Sequence, residues 1–240
     1  MVAHWAWLGR QPFTPTAALQ ERLRQEILER RRPEVLLLLE HDPVITLGRR
    51  SRPEHLLLQP EALVARGIEV APVTRGGQVT YHGPGQLVAY PIVRLRRGVV
   101  AHVEGMAQAV IRLLAPLGIE GQWRRTSPGV WVGASKICAF GVQVRHGVSI
   151  HGLALNVSTD LRAFSTIVPC GLTDATVTSV AQLCDGRAPP LPLMAGQLAH
   201  ALAAVFGLDA CEARPQDLLS EGEALTDPDL FQLQNGKPDR

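Results

Sequence analysis

Residues 130–157 read VWVGASKICAFGVQVRHGVSIHGLALNV, and this stretch decides the fold class. It contains three apolar, β-branched runs, which are interrupted at Gly133 and at residues 145–147, Arg-His-Gly. Glycine and polar residues between such runs mark tight turns. We therefore predict three strands, at 130–132, 136–144 and 148–157, that pair in sequence as an antiparallel meander.

Further strand patterns precede this meander. Short apolar runs bounded by glycine, proline or charged residues are typical of strands. Such runs occur at 35–40, 44–47, 68–73, 79–81 and 87–93.

Apolar residues recur at helical spacing in other parts of the chain. Thr14 followed by Pro15 predicts a helix start, and Leu19, Leu23 and Ile27 then share one side until Pro33. Other helices are predicted at 60–67, 101–115 and 194–206. Helices set apart from runs of short strands favour an α+β fold, with the helices packed on a mixed, mostly antiparallel sheet.

Composition limits the class of protein. A chain of 240 residues with 46% hydrophobic content suffices for one substantial core, so we expect a single catalytic domain over 1–212 and a flexible tail over 213–240. The 24 basic and 22 acidic residues nearly cancel, which argues against nucleic acid. No secretion signal and no run of about 18 apolar residues is found, so we expect a cytoplasmic protein without a membrane partner.

The four cysteines are far apart and form no CxxC pair. This spacing favours free thiols in a reducing compartment over a zinc site or a disulfide framework. Cys138, Cys184 and Cys211 are expected to be small buried apolar residues. Cys170 differs because it stands between Pro169 and Gly171, in a turn that can expose its thiol.

A second unusual segment is RGGQVTYHGPGQ at residues 75–86. Its two leading glycines allow close backbone approach to a ligand, although a structural hairpin turn explains them equally well. Arg75, Thr80, Tyr81 and His82 supply a cation, two hydroxyls and an imidazole, and Gly83-Pro84-Gly85-Gln86 predicts an irregular, exposed loop. His82 either shapes this loop through local hydrogen bonds or contacts substrate, and without clustered partners it does not indicate a metal site.

Lys136 begins an otherwise apolar strand. Its stem can therefore be buried while its amine reaches a pocket. Such a lysine can act as a general base, and when charged it favours a neighbouring thiolate. Since an ordinary thiol with a pKa near 8.5 is mostly protonated at neutral pH, we expect Lys136 to activate Cys170 for acyl transfer through a thioester. A solvated lysine at a strand edge is the alternative.

Several motifs in one order resemble the lipoyl(octanoyl) transferases, over most of residues 35–185. The resemblance depends on residues 75–86, PGVW at 128–131 leading to Lys136-Ile137, HGLALN at 151–156, Asp160-Leu161 with Phe164, and Pro169-Cys170-Gly171. It implies transfer of octanoyl from acyl carrier protein to a lysine of a lipoyl domain, in lipoate biosynthesis. It also implies a fold like the catalytic domain of biotin and lipoate protein ligases, and no metal, ATP or other cofactor.

The same resemblance assigns roles to residues. Cys170 would carry the octanoyl thioester, and Lys136 would lower the pKa of its thiol and move protons. The substrate-contacting residues would be Arg75, Gly76, Gly77, Gln78, Val79, Thr80, Tyr81, His82, Ala139, Phe140, Gly141, Gly152, Leu153 and Ala154.

Three alternatives stay open at this point. An ATP-dependent ligase would also use a Gly-Gly loop and a lysine, but residues 48–51, Gly-Arg-Arg-Ser, only poorly match a GRGRxG run and an adenylating enzyme does not need Cys170. An amidotransferase that moves octanoyl between two lipoyl-type proteins would also use a cysteine. A non-catalytic module that binds lipoyl domains or acyl carriers would leave both Cys170 and Lys136 structural.

Overall fold

Two sheets carry the fold in the computed structural model, which describes residues 1–168 and 176–219. The strands are β1 (Val2–Gln11), β2 (Glu34–His41), β3 (Val44–Leu47), β4 (Glu69–Pro72), β5 (Val79–His82), β6 (Gln86–Ile92), β7 (Gln122–Arg124), β8 (Gly129–Val132), β9 (Ser135–Arg145), β10 (Val148–Asn156), β11 (Thr176–Val177) and β12 (Asp209–Glu212). The α-helices are α1 (Phe13–Leu28), α2 (Pro60–Val64), α3 (Gly98–Leu114), α4 (Val180–Leu183) and α5 (Leu191–Phe206).

The main sheet has the strand order β12-β1-β2-β6-β10-β9-β8-β7, with β11 added beside β9, and a smaller sheet has the order β4-β3-β5. Pairing is parallel for β12 with β1, β1 with β2, β11 with β9 and β3 with β4, and antiparallel for the other neighbours. The predicted α+β class and mixed, mostly antiparallel sheet are confirmed, and so is the β8-β9-β10 meander.

Strand β2 shows how the sheet is covered on both faces. Leu36 and Leu38 belong to the core cluster that includes α3 and α5, whereas Leu37 and Leu39 belong to the cluster that includes α1. Successive strand side chains point to opposite faces, so a strand buried on both faces has a continuous apolar run. The run of leucines at 36–39 is therefore the signature of an inner strand between two helical layers.

Strand β1 has no counterpart among the predicted strands, although it lies inside the main sheet. Its parallel neighbours are β2 and β12, and Val2 pairs with Asp209 from the opposite end of the described chain. Parallel pairing of distant segments leaves no hairpin signal in the sequence.

Helices α3 and α5 begin at residues 98 and 191, before the predicted starts at 101 and 194. Pro192 fits the first turn of α5, because the backbone N–H groups of that turn have no partner within the helix.

Helix α3 with its adjoining turn, Gly98–Leu117, is the one helix in the described residues that is long and apolar enough to cross a membrane by length and composition. Its Met106, Val110 and Leu114 are fully buried in the core cluster beside the main sheet. This burial accounts for the apolar composition of α3 as that of a core helix.

The packed region continues beyond the predicted boundary at residue 212. The turn Pro215–Leu218 places Leu218 in the core cluster beside α1, where it is fully buried. The Arg22 guanidinium donates a hydrogen bond to the Leu218 carbonyl at 2.7 Å, and the Ala213 N–H donates to the Trp5 carbonyl at 2.8 Å. Residues 213–219 are therefore part of the packed domain, and residues 220–240 of the predicted tail lie outside the described residues.

We expect Leu218→Ala to lower the free energy of unfolding by about 2–5 kcal/mol, because it removes a fully buried side chain and leaves a cavity. Leu193→Ala is the matched control, since Leu193 is 55% exposed and its truncation should change stability by about 0.5 kcal/mol or less. Urea unfolding of the two variants measures the difference. Equal stabilities would contradict a packed role for residues 213–219.

Candidate active site

The loop between β4 and β5 is organised around the side chain of Arg75. This guanidinium is buried, and it donates hydrogen bonds to the carbonyl oxygens of Gly76 at 3.0 Å, Gln78 at 2.8 Å and Thr46 at 2.9 Å. It also donates to Thr46 Oγ1 at 2.7 Å. Arg75 thus holds its own loop against β3.

Glycines let this loop approach the meander closely. The Gly76 N–H donates to the Val142 carbonyl of β9 at 3.0 Å, and a Cβ on Gly141 would lie only 2.7 Å from Arg75 Cδ. A Cβ on Gly152 would lie 2.2 Å from the Ala89 carbonyl oxygen. Real Cβ atoms do not come this close, so these positions require glycine.

A narrow cavity lies between this loop and strands β9 and β10. All the predicted substrate-contacting residues except Gly76 and Tyr81 line this cavity. The predicted residues that line it are Arg75, Gly77, Gln78, Val79, Thr80, His82, Ala139, Phe140, Gly141, Gly152, Leu153 and Ala154. Its space of about 60 Å³ holds roughly four to six water molecules, because each needs about 10–15 Å³ of such space. We call this space the inner cavity.

The two exceptions have other positions. Gly76 lines an adjoining cavity, and Tyr81 packs its ring against Phe164 at 5.6 Å between ring centroids. A larger cavity of about 470 Å³, between the start of α3 and the end of α5, is lined by none of the predicted site residues.

Five further residues line the inner cavity that sequence reasoning did not assign to the site. They are Phe13, Thr46, Tyr90, Pro128 and His151. Pro128 and His151 each begin a motif that carried the family resemblance, so a signal for them was present. Phe13, Thr46 and Tyr90 come from separate elements with ordinary apolar or strand patterns, and only the fold brings them to the cavity.

Three buried histidines surround Tyr90 beside this cavity. His41 Nε2 lies 2.7 Å from the Tyr90 hydroxyl. The ring centroid of His82 lies 6.0 Å from that of His41, and the ring centroid of His151 lies 6.2 Å from that of Tyr90. Burial lowers the pKa of His41 to about 4, of His82 to about 3 and of His151 to about 4. All three imidazoles are therefore neutral at pH 7. Within the described residues, no group of three or more His, Cys, Asp and Glu side chains is arranged to hold a metal ion.

His82 also starts a polar network that crosses the sheets. Its Nδ1 lies 2.7 Å from Gln86 Oε1, Gln86 Nε2 donates to Asn156 Oδ1 at 2.9 Å, and Asn156 Nδ2 donates to the Thr178 carbonyl at 3.0 Å. His82 thus both shapes its loop and lines the inner cavity. In the loop predicted to be exposed at 83–86, Pro84 is exposed and Gly85 is partly exposed, whereas Gly83 and Gln86 are buried. The prediction is therefore wrong for Gly83 and Gln86, because this network pulls the turn inward.

Lys136 is buried at the start of β9, as its apolar surroundings predict. Its Nζ lies 4.9 Å from the centroid of the Trp131 ring and 3.4 Å from the Pro128 carbonyl oxygen, which accepts a hydrogen bond from it. A Cβ on Gly129 would lie 2.9 Å from Lys136 Cε, so the absent side chain leaves room for the lysine stem. The solvated strand-edge alternative is wrong for Lys136.

Lys136 lines a second cavity, of about 430 Å³, that adjoins the inner one. The two cavities share the wall residues Gly77, Gln78, Pro128, Phe140 and Gly141. We call the second space the lysine cavity. The cavity that Lys136 lines and the inner cavity therefore have part of their walls in common.

Cys170 lies outside the described residues, but the chain on either side of it is placed. Before it, the Val168 N–H donates to the His55 carbonyl at 2.9 Å. After it, Val177 pairs with Lys136, and the Thr178 N–H donates to the Lys136 carbonyl at 3.0 Å. Residues 176–178 therefore run beside the strand that carries Lys136.

The other three cysteines are free thiols in different surroundings. Cys138 is buried, as expected, and burial raises the pKa of its thiol, so it is a poor nucleophile. Cys184 is partly exposed and Cys211 is exposed, so the expectation of burial is wrong for Cys211, which lies on the edge strand β12.

Comparison with known proteins gives consistent results. The model of the lipoyl protein ligase A/B catalytic domain family matches residues 13–206. An octanoyltransferase of Chloroflexus aggregans is 47% identical over 219 residues, which cover 89% of this chain and 96% of that protein. An octanoyltransferase of Acidobacterium capsulatum is 41% identical over 244 residues, which cover 94% and 99% of the two chains.

Solved structures share the fold. A bipartite lipoate protein ligase of Thermoplasma acidophilum superposes with a TM-score of 0.69 at 20% identity, over 89% of this chain and 87% of that one. A biotin protein ligase of Aquifex aeolicus, in complex with biotin and ATP, superposes with a TM-score of 0.53 at 11% identity, over 85% and 70% of the two chains. These likenesses confirm the predicted fold resemblance to both ligase groups.

We expect Arg75→Lys to lower the free energy of unfolding by at least about 2 kcal/mol, because an ammonium cannot reproduce the planar set of bonds and leaves buried carbonyls unpaired. Arg49→Lys, at an exposed arginine of the neighbouring turn, is the matched control and should change stability little. Urea unfolding compares them. A loss for Arg75→Lys no larger than that for Arg49→Lys would show that the guanidinium does not hold the loop.

The buried histidines predict acid sensitivity. Four histidines contribute: His41, His82, His151 and also His102, for which burial lowers the pKa to about 4. Below pH 6.5 these imidazoles bind protons in the unfolded chain, but they stay neutral in the folded protein until the pH nears their lowered pKa values. The unfolded state then binds more protons, so stability is complete above pH 6.5 and falls as the pH drops toward 4. Each histidine should account for a loss of about 1.4 kcal/mol in total between pH 7.5 and 5.5, and its slope approaches about 1.4 kcal/mol per pH unit only below that range.

Urea unfolding between pH 5.5 and 7.5 measures this slope. His102→Phe removes one of the four groups and should reduce the slope, while the exposed His146, changed to Asn in the same left-handed turn conformation, should leave it unchanged. Equal slopes in the two variants would contradict the assignment to buried histidines.

Proposed function

The chain belongs to the lipoyl protein ligase A/B catalytic domain family and is an acyltransferase that transfers octanoyl groups in lipoate biosynthesis; we propose that it does so through a thioester on Cys170. In this proposal the donor is octanoyl-acyl carrier protein, and the acceptor is a lysine of a lipoyl domain. The cytoplasm is the proposed location, because free thiols such as Cys184 and Cys211 suit a reducing compartment.

The observation that supports this proposal best is the inner cavity beside Lys136. Room for roughly four to six waters corresponds to about 120–180 Å³ of liquid, which suits an acyl chain of medium length. Ten of its seventeen lining residues are glycine, alanine or other apolar residues, and its histidines are neutral at pH 7. The Arg75 guanidinium also lines it, but its charge is directed to carbonyl oxygens of its own loop and of Thr46. Such walls favour a hydrocarbon chain over a charged ligand.

The first step joins the acyl group to the enzyme. Lys136 accepts the proton of the Cys170 thiol, and the thiolate Sγ attacks the thioester carbonyl carbon of the donor. The bond from that carbon to the donor sulfur then breaks, and the departing thiol of the carrier takes the proton back from Lys136. The octanoyl group is left as a thioester on Cys170.

The second step passes the acyl group to nitrogen. The neutral amine of the acceptor lysine attacks the Cys170 thioester, the carbon–nitrogen bond forms and the carbon–Sγ bond breaks. Lys136 takes the proton that the amine loses and returns it to the Cys170 thiolate. An amide is more stable than a thioester, so the transfer proceeds without ATP.

The surroundings of Lys136 suit these proton transfers. The amine is buried beside an aromatic ring, in the wall of a cavity of about 430 Å³. A cavity of that size can admit the slender arm of a carrier, and later the side chain of an acceptor lysine. The acyl chain would occupy the inner cavity during both steps.

The test is to incubate the protein with octanoyl-acyl carrier protein in the absence of ATP and to measure its intact mass. We expect a gain of one octanoyl group that hydroxylamine removes and that an added lipoyl domain discharges. Cys170→Ala should abolish the adduct, and Lys136→Ala should slow its formation by about 100-fold or more. Cys211→Ala, at an exposed cysteine away from the site, is the control and should form the adduct normally.

Other outcomes separate the alternatives. Transfer to the lipoyl domain that requires ATP and free octanoic acid would identify a ligase and overturn the thioester route. An adduct that persists in Cys170→Ala would place the acyl group on another residue.

A further inference from the structure

Three cavities form a row through the site, and neighbouring cavities share wall residues. The lysine cavity shares Gly77, Gln78, Pro128, Phe140 and Gly141 with the inner cavity. On its other side the inner cavity shares Phe13 and His151 with a third space of about 320 Å³, which we call the outer cavity. The outer cavity is lined mainly by residues of α1, β4 and the chain after β4.

The row has a direction. Lys136 lines the lysine cavity and neither of the other two, so the reacting end of an acyl chain belongs on that side. A chain that enters the inner cavity from there extends toward the partition formed by Phe13 and His151. Its terminal methyl group would then meet these two side chains.

The partition is well supported. Phe13, the first residue of α1, is 3% exposed, and its ring packs edge-on against His41 with 5.4 Å between centroids. His151 is 6% exposed, and its backbone N–H donates a hydrogen bond to Gln20 Oε1 of α1 at 2.8 Å. One helix therefore provides Phe13 and also fixes the strand that provides His151.

The space behind the partition is partly apolar. Val70, Ala71, Val73 and Ile150 line the outer cavity, together with the polar side chains of Thr14, Glu21, Glu69 and Thr74. Ala17, one helical turn after Phe13, also lines it and would not obstruct a chain that passes the position of the Phe13 ring. Removal of that ring would connect the inner and outer cavities.

We propose that Phe13 and His151 form the end wall that limits acyl-chain length, and that the ring of Phe13 excludes chains longer than the inner cavity. This inference rests on the proposed function, since it assigns a chain-length limit to the same acyl site. The wall acts by contact with the far end of the substrate, so it determines specificity and takes no part in the proton transfers at Lys136.

The experiment measures kcat/KM for transfer from octanoyl and dodecanoyl carrier proteins to a lipoyl domain. We expect Phe13→Ala to raise the ratio of kcat/KM for dodecanoyl to kcat/KM for octanoyl on the order of tenfold or more. The reason is that placing one more methylene group in an apolar pocket changes kcat/KM by about 10–200-fold. Val73→Ala is the matched control: it enlarges the outer cavity without touching the inner one, and the ratio should stay unchanged.

An unchanged ratio in folded Phe13→Ala would overturn the inference, and so would an equal rise in Val73→Ala. If Phe13→Ala fails to fold, as circular dichroism would reveal, Phe13→Leu decides the question. It should raise the ratio by a smaller factor, and no rise would overturn the inference.

A binding measurement separates this inference from the proposed function. Thermal unfolding is followed with octanoate or dodecanoate as the probe, which requires no transfer reaction. Wild type should be stabilised by octanoate more than by dodecanoate, and Phe13→Ala should reverse that order. Reversal would support the end wall even if the wild-type protein transfers no acyl group from the carrier. The same order in both proteins would overturn the end wall even if octanoyl transfer is established.

Discussion

The hydrogen bonds of the Arg75 guanidinium are the constraint on which the site depends. They join the loop after β4 to Thr46 of β3, and so tie the small sheet to the segment that borders the inner cavity. A guanidinium has five N–H donors in a fixed plane, which matches several carbonyls that converge on one point. The Gly76 N–H then fastens this assembly to β9. The wall formed by this loop and β9 is consequently positioned by hydrogen bonds to backbone groups.

This arrangement explains the glycines of the site better than flexibility does. Gly141 lies against the Arg75 side chain, and Gly152 lies against the carbonyl of Ala89 in the neighbouring strand. In both places a side chain would push apart two elements that must touch. Small residues at these positions bring backbone close to the cavity, and they keep its space narrow.

The sequence predicted more of the fold than of the site's internal contacts. The meander could be predicted because its turns and its strand patterns are local, and the helical stripe of α3 could be predicted for the same reason. Strand β1 could not, because its partners are parallel and come from distant parts of the chain. The burial of Leu218 could not, because the pair Leu218-Leu219 in a polar region is too short to show a periodicity.

The site follows the same division. The glycine-rich and lysine segments were visible as dense polar motifs, and the cavity is built largely from them. The sequence could not indicate the hydrogen-bond partners of each polar group, because these depend on contacts between distant elements. Arg75 bonds to its own loop, and His82 bonds to Gln86 inside a buried network. Phe13 enters the site only because α1 packs over β10.

The separation of polar and apolar chemistry along the row of cavities follows from these contacts. The proposed proton transfers would take place at Lys136, in the wall of the lysine cavity. The proposed acyl chain would lie in the inner cavity, where burial keeps His82 and His151 neutral at pH 7. Had either imidazole been charged, its desolvation would oppose the apolar chain in the same space. Burial of these histidines therefore makes polar residues acceptable in an apolar pocket, at a cost in stability that appears only when the pH falls.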